Sequence, residues 1–196
     1  MNIKTRMSNE DRSSMTRKAL VAAARKLFLE KGYAEASTPE LVRAAGVTRG
    51  ALYHHFEDKK AIFRAVAESE LAEVATLINR STSKSSTAMQ ALESGTRAYL
   101  DAMQTPGRAY LLLVEGPAAL GVHTMKQLNG DSAAHTLRDG LAAAMAAGEI
   151  PQLPLDAVTT VLDAAFDRAA LEIAQGASRT EIETALAALL QGLAAE

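Results

Sequence analysis

The chain has 196 residues, of which 48% are hydrophobic and only 4% aromatic, and its formal net charge is −2. This length can bury a substantial core, and a composition rich in Leu, Ala and Val suits helices packed on helices. The lack of cysteine excludes disulfides and thiolate metal sites, and no apolar run approaches the roughly 20 residues of a membrane span.

The charges are distributed unevenly along the chain. Residues 1–60 contain 12 Lys and Arg against 7 Asp and Glu, whereas residues 61–196 contain 9 against 16. A basic N-terminal segment ahead of an acidic body indicates that one end of the protein meets a polyanion. The N-terminus is polar rather than signal-like, so we expect a cytoplasmic protein.

The N-terminal residues are predicted to form an arm and then a helix. Residues 1–13 show no apolar periodicity and are predicted to be flexible. From Ser14 to Lys31 apolar residues recur at helical spacing, and Gly32 ends this first helix.

Two short helices are predicted next. In the stretch STPEL, Thr38 is the expected N-cap and Pro39 the first helical residue. This second helix ends at Gly46, because glycine adopts a left-handed C-cap conformation at little cost. Thr48 then caps a third helix over about 49–55.

The rest of the chain is predicted to be helical throughout. Asp58 caps a long fourth helix that reaches Ile78, and the Ser/Thr-rich segment 81–87 is a loop. No segment alternates as a strand would, so the predicted fold is all-α. Further helices are expected near 88–104, 107–115, 117–128, 131–147, 155–175 and 179–194, with breaks at Pro106-Gly107, Gly116-Pro117, Gly130, 148–154 and Gly176.

The two short helices and the turn between them predict a helix-turn-helix. Helices of about eight residues are unstable alone and need tertiary packing. On a helical wheel Leu52 and Phe56 share one face, which we expect to pack, together with Val47, on Leu27, Phe28 and Leu41.

The opposite face of the third helix suits the major groove of DNA. Arg49 can hydrogen-bond guanine O6 and N7 together, and Gly50 and Ala51 keep the first turn slim enough to reach base edges. Phosphate contacts are expected from four further side chains, which are Thr38, Thr48, Tyr53 and His54.

Lys59 is a further candidate for a phosphate contact. It follows the Asp58 cap, where the helix dipole disfavours a cation by about 0.3–1 kcal/mol. A lysine there is badly placed for stability and well placed to hold a phosphate. Arm or first-helix contacts with DNA are open for Arg6, Arg12, Arg17 and Lys18.

The stretch TPELVRAAGVTRGALYHHFEDKKAIFRAV, residues 38–66, resembles the DNA-binding signature of the tetracycline-repressor-like (TetR) transcriptional regulators. The similar features are the Thr that opens helix two, Ala-Gly-Val at the turn, Thr-x-Gly-x-Leu-Tyr-x-His-Phe in helix three, and a following Lys. The family's phosphate-contacting positions match Thr38, Thr48, Tyr53, His54 and Lys59, and its base-reading positions match Arg49, Gly50 and Ala51.

Two departures from the family pattern affect this comparison. Pro39 stands where some members carry a basic base-contacting residue, which narrows the base readout towards Arg49. Leu41-Val42 replaces the usual Ile-Ala, a change that adjusts packing.

The resemblance implies a C-terminal helical domain that dimerises and binds a small molecule. We therefore expect an arm at 1–13, a DNA-binding domain at 14–60 and an effector and dimerisation domain at 61–196. Apolar and small-residue stripes on 155–175 and 179–194 would allow a four-helix bundle between two subunits. An apolar effector cavity is expected to be lined by Met103, Leu113, Met125 and Phe166, and no cofactor or metal is expected.

We expect a sequence-specific DNA-binding regulator, a repressor that an effector releases from a palindromic operator. Two other classes of protein are alternatives. An enzyme would need a nucleophile–base pair, a metal set or a phosphate loop, and the sequence contains none of these patterns. His54 and His55 cannot chelate a metal together, because adjacent helical residues point about 100° apart. A helical protein-interaction module without DNA binding is the alternative, and it would have no need of Gly50 or Lys59.

Overall fold

The computed structural model describes residues 8–130 and 132–194, in which helices are joined by short loops and no strand occurs. The chain divides into two compact units, the first ending at Ala67 and the second beginning at Glu68. The division falls inside a long helix, seven residues beyond the expected boundary at residue 60. No described helix combines the length and apolar character needed to cross a membrane.

The first unit contains α1 (Asn9–Glu35), α2 (Thr38–Ala45), α3 (Arg49–His55) and the start of α4 (Lys59–Thr82). Five of the six residues expected to pack together here are buried, and the sixth, Val47, is half-buried. The rings of Phe28 and Phe63 meet edge to face with centroids 5.2 Å apart. The fully or nearly fully buried side chains of this core include Leu20, Leu27, Phe28, Leu41, Leu52, Phe56, Ile62 and Phe63.

Helix α1 begins earlier than expected. The Ser8 hydroxyl accepts the Asp11 backbone N–H at 3.0 Å, and Asp11 Oδ2 accepts the Ser8 N–H at 3.1 Å. This reciprocal cap starts the helix at Asn9, so residues 9–13 are helical rather than part of a flexible arm. Residues 1–7, including Arg6, lie outside the described residues. Gly32 leaves helical geometry as expected, with φ +79°.

The second unit contains the remainder of α4 and the helices α5 (Ala88–Met103), α6 (Arg108–Tyr110), α7 (Gly116–Leu120), α8 (Val122–Gly130), α9 (Ala133–Ala146), α10 (Leu155–Ala174) and α11 (Arg179–Gln191). Helix α5 packs against α9, α10 and α11, and α9 packs against α8 and α10. The bounds of α5, α9 and α10 agree with the predicted helices to within two residues.

The break expected at Gly116-Pro117 is wrong. Residues 108–120 are continuously helical, with a π-helical turn at Leu111–Glu115 between α6 and α7. Proline lacks an N–H and its ring crowds the preceding turn, and a wider turn accommodates both effects. The chain turns instead at Gly121, whose φ is +91°. Gly116 is helical, and a Cβ there would lie 2.8 Å from the Met125 methyl carbon.

Candidate functional site

The turn between α2 and α3 has the geometry that its sequence predicts. Gly46 adopts the left-handed conformation with φ +65° and ψ +30°, and the Val47 N–H bonds to the Val42 carbonyl at 3.1 Å. The Thr48 hydroxyl accepts the Ala51 N–H at 3.1 Å and caps α3. The two helices therefore form a helix-turn-helix, in which Gly46 caps the end of α2 and Thr48 caps the start of α3.

The N-cap of α2 is Ser37, and the expectation of Thr38 is wrong. The Ser37 N–H and hydroxyl donate to Glu40 Oε2 at 3.1 and 2.7 Å. The Ser-x-x-Glu spacing of a capping box decides between two adjacent hydroxyl residues. The Lys31 ammonium also bonds Glu40, and this contact, with the Ser37 bonds, lowers the pKa of Glu40 to about 2. Thr38 becomes the first helical residue and is half-buried.

Helix α3 separates an apolar face from a polar one. Leu52 and Phe56 are buried, at 0% and 5% exposure, and anchor the helix in the first unit. The predicted outward side chains of Arg49, Tyr53 and His54 are exposed, as are Thr48 and Gly50, and Ala51 is half-buried. These residues thus lie together on the face that the helical wheel predicts.

Arg49 occupies the first turn of this polar face. Its guanidinium carbon lies 5.5 Å from the Tyr53 ring centroid, a cation–π arrangement that holds the side chain along α3. In the part of the chain that the structure describes, Arg49 makes no ion pair. Its five N–H donors are consequently available for a ligand.

His55 differs from its neighbour His54. It is half-buried, and burial lowers its pKa, with the charges of His54 and Arg17 acting in the same direction. The Arg17 guanidinium lies over the Phe56 ring at 5.1 Å. His55 and Arg17 therefore stand where α1 meets α3, while His54 faces outward.

From the helix dipole we expected Lys59 to be badly placed for stability, and this prediction is wrong. Its ammonium donates to the carbonyls of Tyr33, Ala34 and Ala36 at 2.8, 3.1 and 2.9 Å. The ammonium also lies 4.5 Å from the Tyr33 ring centroid. Three carbonyls at the end of α1 outweigh an unfavourable dipole, because hydrogen bonds to charged groups are the stronger interaction. Lys59 ties the end of α1 to the start of α4.

We predict that Lys59→Ala lowers the free energy of unfolding of the first unit by about 1–3 kcal/mol, because three carbonyls lose a charged donor. Urea unfolding followed by circular dichroism measures the change. Lys60→Ala is the matched control, since Lys60 is exposed on the next position of α4. Equal stability of the two variants would show that these bonds do not support the fold.

The second unit contains a large cavity of about 610 Å³, which lies in the size range of small-molecule sites. Three of the four residues expected to line an effector cavity, Met103, Leu113 and Met125, line it. Phe166 does not, because it lines a smaller cavity of about 270 Å³ formed by residues of α4, α5, α9 and α10.

The large cavity also has a polar end that sequence reasoning missed. The Tyr99 hydroxyl donates to Asp167 Oδ1 at 2.6 Å, and Asn129 Nδ2 lies 3.1 Å from both oxygens of Asp163. Burial raises the pKa of Asp167 to about 7, assisted by the charge of Asp163, and burial also raises the pKa of Asp163. The spacing of two Asp residues four apart in the apolar stripe of α10 is the sequence signal that could have found this end.

The fold and the exposed α3 face define the class of protein, a helix-turn-helix unit followed in the chain by a separate all-helical unit. Residues 20–66 match the family described as "Bacterial regulatory proteins, tetR family". Residues 89–194, more than half of the chain, match "Tetracyclin repressor-like, C-terminal domain". The chain belongs to the TetR family, as the resemblance of residues 38–66 predicted.

Known relatives agree with this assignment. An HTH-type transcriptional repressor of Mycobacterium tuberculosis is 38% identical over 72 residues, which are 37% of this chain and 38% of that protein. The repressor BepR of Brucella suis is 49% identical over 51 residues, which are 26% of this chain and 24% of BepR. The chain thus matches much less than two thirds of the length of these relatives.

Solved structures extend the similarity to the whole fold. A TetR-family transcriptional regulator from Pectobacterium atrosepticum has a TM-score of 0.75 at 27% identity, over 97% of this chain and 99% of that one. FadR from Bacillus subtilis, solved with stearoyl-CoA, has a TM-score of 0.76 at 16% identity, over 88% and 96%. RolR, solved with resorcinol, has a TM-score of 0.73 at 18% identity, over 95% and 90%.

Proposed function

We propose that this protein is a sequence-specific DNA-binding transcriptional regulator, a repressor that a small-molecule effector releases from a palindromic operator. The observation that carries the proposal is the outward face of α3, the second helix of a helix-turn-helix. At its first turn an arginine that makes no ion pair with any described residue stands beside two small residues. Such a face fits the width of the major groove. The place of action is then the cytoplasm.

The proposed DNA-binding residues divide into those that read bases and those that contact phosphates. Arg49 reads a guanine, and Gly50 and Ala51 allow the backbone to approach base edges. Phosphates are held by Tyr53, His54, Thr48 and Thr38, which set the register of the helix on the duplex. Lys59 supports phosphate binding through its positive charge rather than by a direct hydrogen bond, because its three protons are already donated to carbonyls.

Arg49→Ala is expected to relax base preference at one position of each half-site, a loss of about 1–3 kcal/mol of discrimination. Selection of bound sequences from random DNA measures the preference. Arg43→Ala is the control: it removes the same charge from an exposed position on α2 and should weaken all sequences about equally. An unchanged preference in the Arg49 variant would refute the reading role.

We further propose that the protein acts as a homodimer through α10 and α11. One seven-residue recognition helix reads few bases, whereas two-fold symmetry pairs two half-sites. The residues of the stripes expected on these helices fall into a buried group and an exposed group. The buried group, which packs within the chain, includes Leu162, Ala169, Leu186 and Leu190. Val161 and Leu189 are 68% and 55% exposed, and they lie among exposed small residues such as Ala157, Ala164, Ala185 and Ala188.

The large cavity is the proposed effector site. FadR and RolR were solved with small molecules, which supports a ligand-binding role for a helical unit of this fold. An effector that favours a dimer with wrongly spaced recognition helices shifts the population away from the DNA-competent form. A 100-fold loss of operator affinity needs about 2.7 kcal/mol of coupling.

A helical protein-interaction module is the competing reading, and salt dependence separates the two. Operator affinity of a regulator falls steeply with salt, because bound phosphates release counterions. An adaptor that recognises protein through apolar contacts keeps its affinity in salt. If the protein binds no DNA sequence more tightly than scrambled competitor DNA at low salt, the regulator proposal is refuted.

A further inference from the structure

The lining of the large cavity combines an apolar wall with a polar end. Its apolar wall includes Leu71, Val74, Met103, Leu112, Leu113 and Met125. Its polar end is formed on α10 by Asp163 and Asp167, which are one helical turn apart and both half-buried. A ligand with an apolar body and a polar group would complement the apolar wall and these two aspartates together.

The two aspartates of the polar end have hydrogen-bond donors, but they form no ion pair with the residues that the structure describes. Tyr99 donates to Asp167 and Asn129 to Asp163, and both donors are neutral. Within the described residues, 8–130 and 132–194, neither carboxylate forms an ion pair with a Lys or Arg. Asp156, which lines the same cavity, does have a cation, because Arg138 Nε lies 3.0 Å from its Oδ1.

This arrangement is costly for the protein without a ligand. Taking a carboxylate out of water is unfavourable unless a cation and hydrogen bonds compensate it, and among the described residues Asp163 and Asp167 have hydrogen bonds but no Lys or Arg in direct contact. Burial accordingly raises the pKa of Asp167 to about 7. Lys126 is exposed at the cavity and lowers the pKa of Asp163 from a distance, but burial outweighs it.

We propose that the large cavity binds an amphipathic organic cation, with its positive group between Asp163 and Asp167 and its apolar body against Leu113 and Met125. This inference rests on the proposed function in one respect, that the occupant of the cavity is the effector. The cation supplies the charge that the neutral partners of the two aspartates lack. An anionic ligand of the same shape would add a third negative charge in a poorly solvated place.

Three probes with the same ten-carbon chain test the charge preference. Decyltrimethylammonium, decanol and decanoate are titrated into the full-length protein by calorimetry, without DNA. The cation is expected to bind about 30-fold or more tightly than the alcohol, and the carboxylate more weakly than either, since a desolvated charge pair is worth about 2 kcal/mol or more. Preference for decanol or decanoate, or no binding of any probe, would overturn the proposal.

Asparagine variants assign the preference to the two aspartates. The double variant Asp163→Asn/Asp167→Asn preserves shape and accepts the Tyr99 hydrogen bond, and it should bind decyltrimethylammonium and decanol within about threefold of each other. Asp156→Asn is the matched control, because it removes a carboxylate of the same cavity that already has a cation. Retention of the full preference by the double variant would contradict the assignment.

The wild-type protein provides a second readout that needs no variant to fold. The charge of decyltrimethylammonium does not change with pH, whereas Asp167, with its pKa of about 7, ionises as the pH rises. Binding should therefore tighten from about pH 6 to about pH 8, and a flat profile would contradict the proposal. The other titratable and charged groups that line this cavity are Tyr99 on α5, Lys126 on α8, His135 and Arg138 on α9, and Asp156 and Asp163 on α10. Of these, the charge of Asp163 raises the pKa of Asp167 and the hydrogen bond from Tyr99 lowers it. His135→Gln removes the one histidine among them and should leave the profile in place.

Operator binding separates failure of this inference from failure of the proposed function. If the protein binds a selected operator and prefers a neutral or anionic probe, the cation proposal fails and the regulator proposal stands. If it prefers the cation in calorimetry yet binds no operator, the cation site stands and the regulator proposal fails.

Discussion

Arg108→Met is expected to lower the free energy of unfolding of the second unit by about 3–5 kcal/mol, because it removes the cation from a buried ion-pair network. Arg108 is 1% exposed, and its Nε donates to Glu70 Oε2 at 2.7 Å. Nη2 lies 2.8 Å from Glu73 Oε2, and Nη1 donates to the Ala102 carbonyl at 2.9 Å. The substitution leaves the Glu70 carboxylate, 3% exposed, without this guanidinium.

Urea unfolding measures this effect, and the control is another arginine with two carboxylates. Arg179 bonds Asp101 and Glu183 but is 38% exposed, so Arg179→Met should cost about 1 kcal/mol or less. The double variant Arg108→Met/Glu70→Leu should recover much of the loss, because the buried charge leaves with its partner. A cost for Arg108→Met no greater than that of Arg179→Met would show that the buried network contributes little.

Val161→Glu should convert a dimer into a monomer and reduce operator affinity about 10²–10⁴-fold. The magnitude follows from the loss of the second, linked half-site contact. Val161 is exposed on α10, so a charge there costs little in the monomer and is unfavourable in an apolar interface. Light scattering measures the mass, and titration of a palindromic duplex measures the affinity.

A point substitution is a cleaner test than deletion of α10 and α11. Deletion would also remove Leu162, Phe166, Leu186 and Leu190 from the core of the second unit. Tyr110→Glu is the control, because Tyr110 is a large exposed side chain on α6 rather than on α10 or α11. A Val161→Glu protein that remains dimeric, or a monomer that keeps full operator affinity, would refute the proposed interface.

Much of the helix-turn-helix could be predicted because its signals are local. A capping side chain bonds a backbone group three residues away, and the Gly46 conformation depends on its own lack of a side chain. The burial of Leu52 and Phe56 follows from helical periodicity over four residues. The N-cap predicted at Thr38 is wrong because the capping box pairs Ser37 with Glu40, three residues later, and this spacing favours Ser37 over the adjacent hydroxyl residue.

Contacts between partners that are distant in sequence could not be predicted. Lys59 meets carbonyls 23 to 26 residues earlier, and no pattern near Lys59 announces them. Arg108 meets Glu70, 38 residues away, and a buried arginine cannot be distinguished from an exposed one by its neighbours in the chain. The N-terminus of α5 is capped in part by Glu149, whose carboxylate accepts the N–H groups of Ala88 and Met89 from 61 and 60 residues away.

The amino-acid sequence by itself determined where most helices of this protein begin and end, and which face of α3 is polar, because caps and helical periodicity act within a few residues. Only the tertiary structure decided that Lys59 is a tie between helices and that Asp163 and Asp167 share a cavity with Tyr99 and Asn129. The physical reason is that burial and charge pairing depend on which helices pack together. That packing brings distant residues to within about 3 Å of each other.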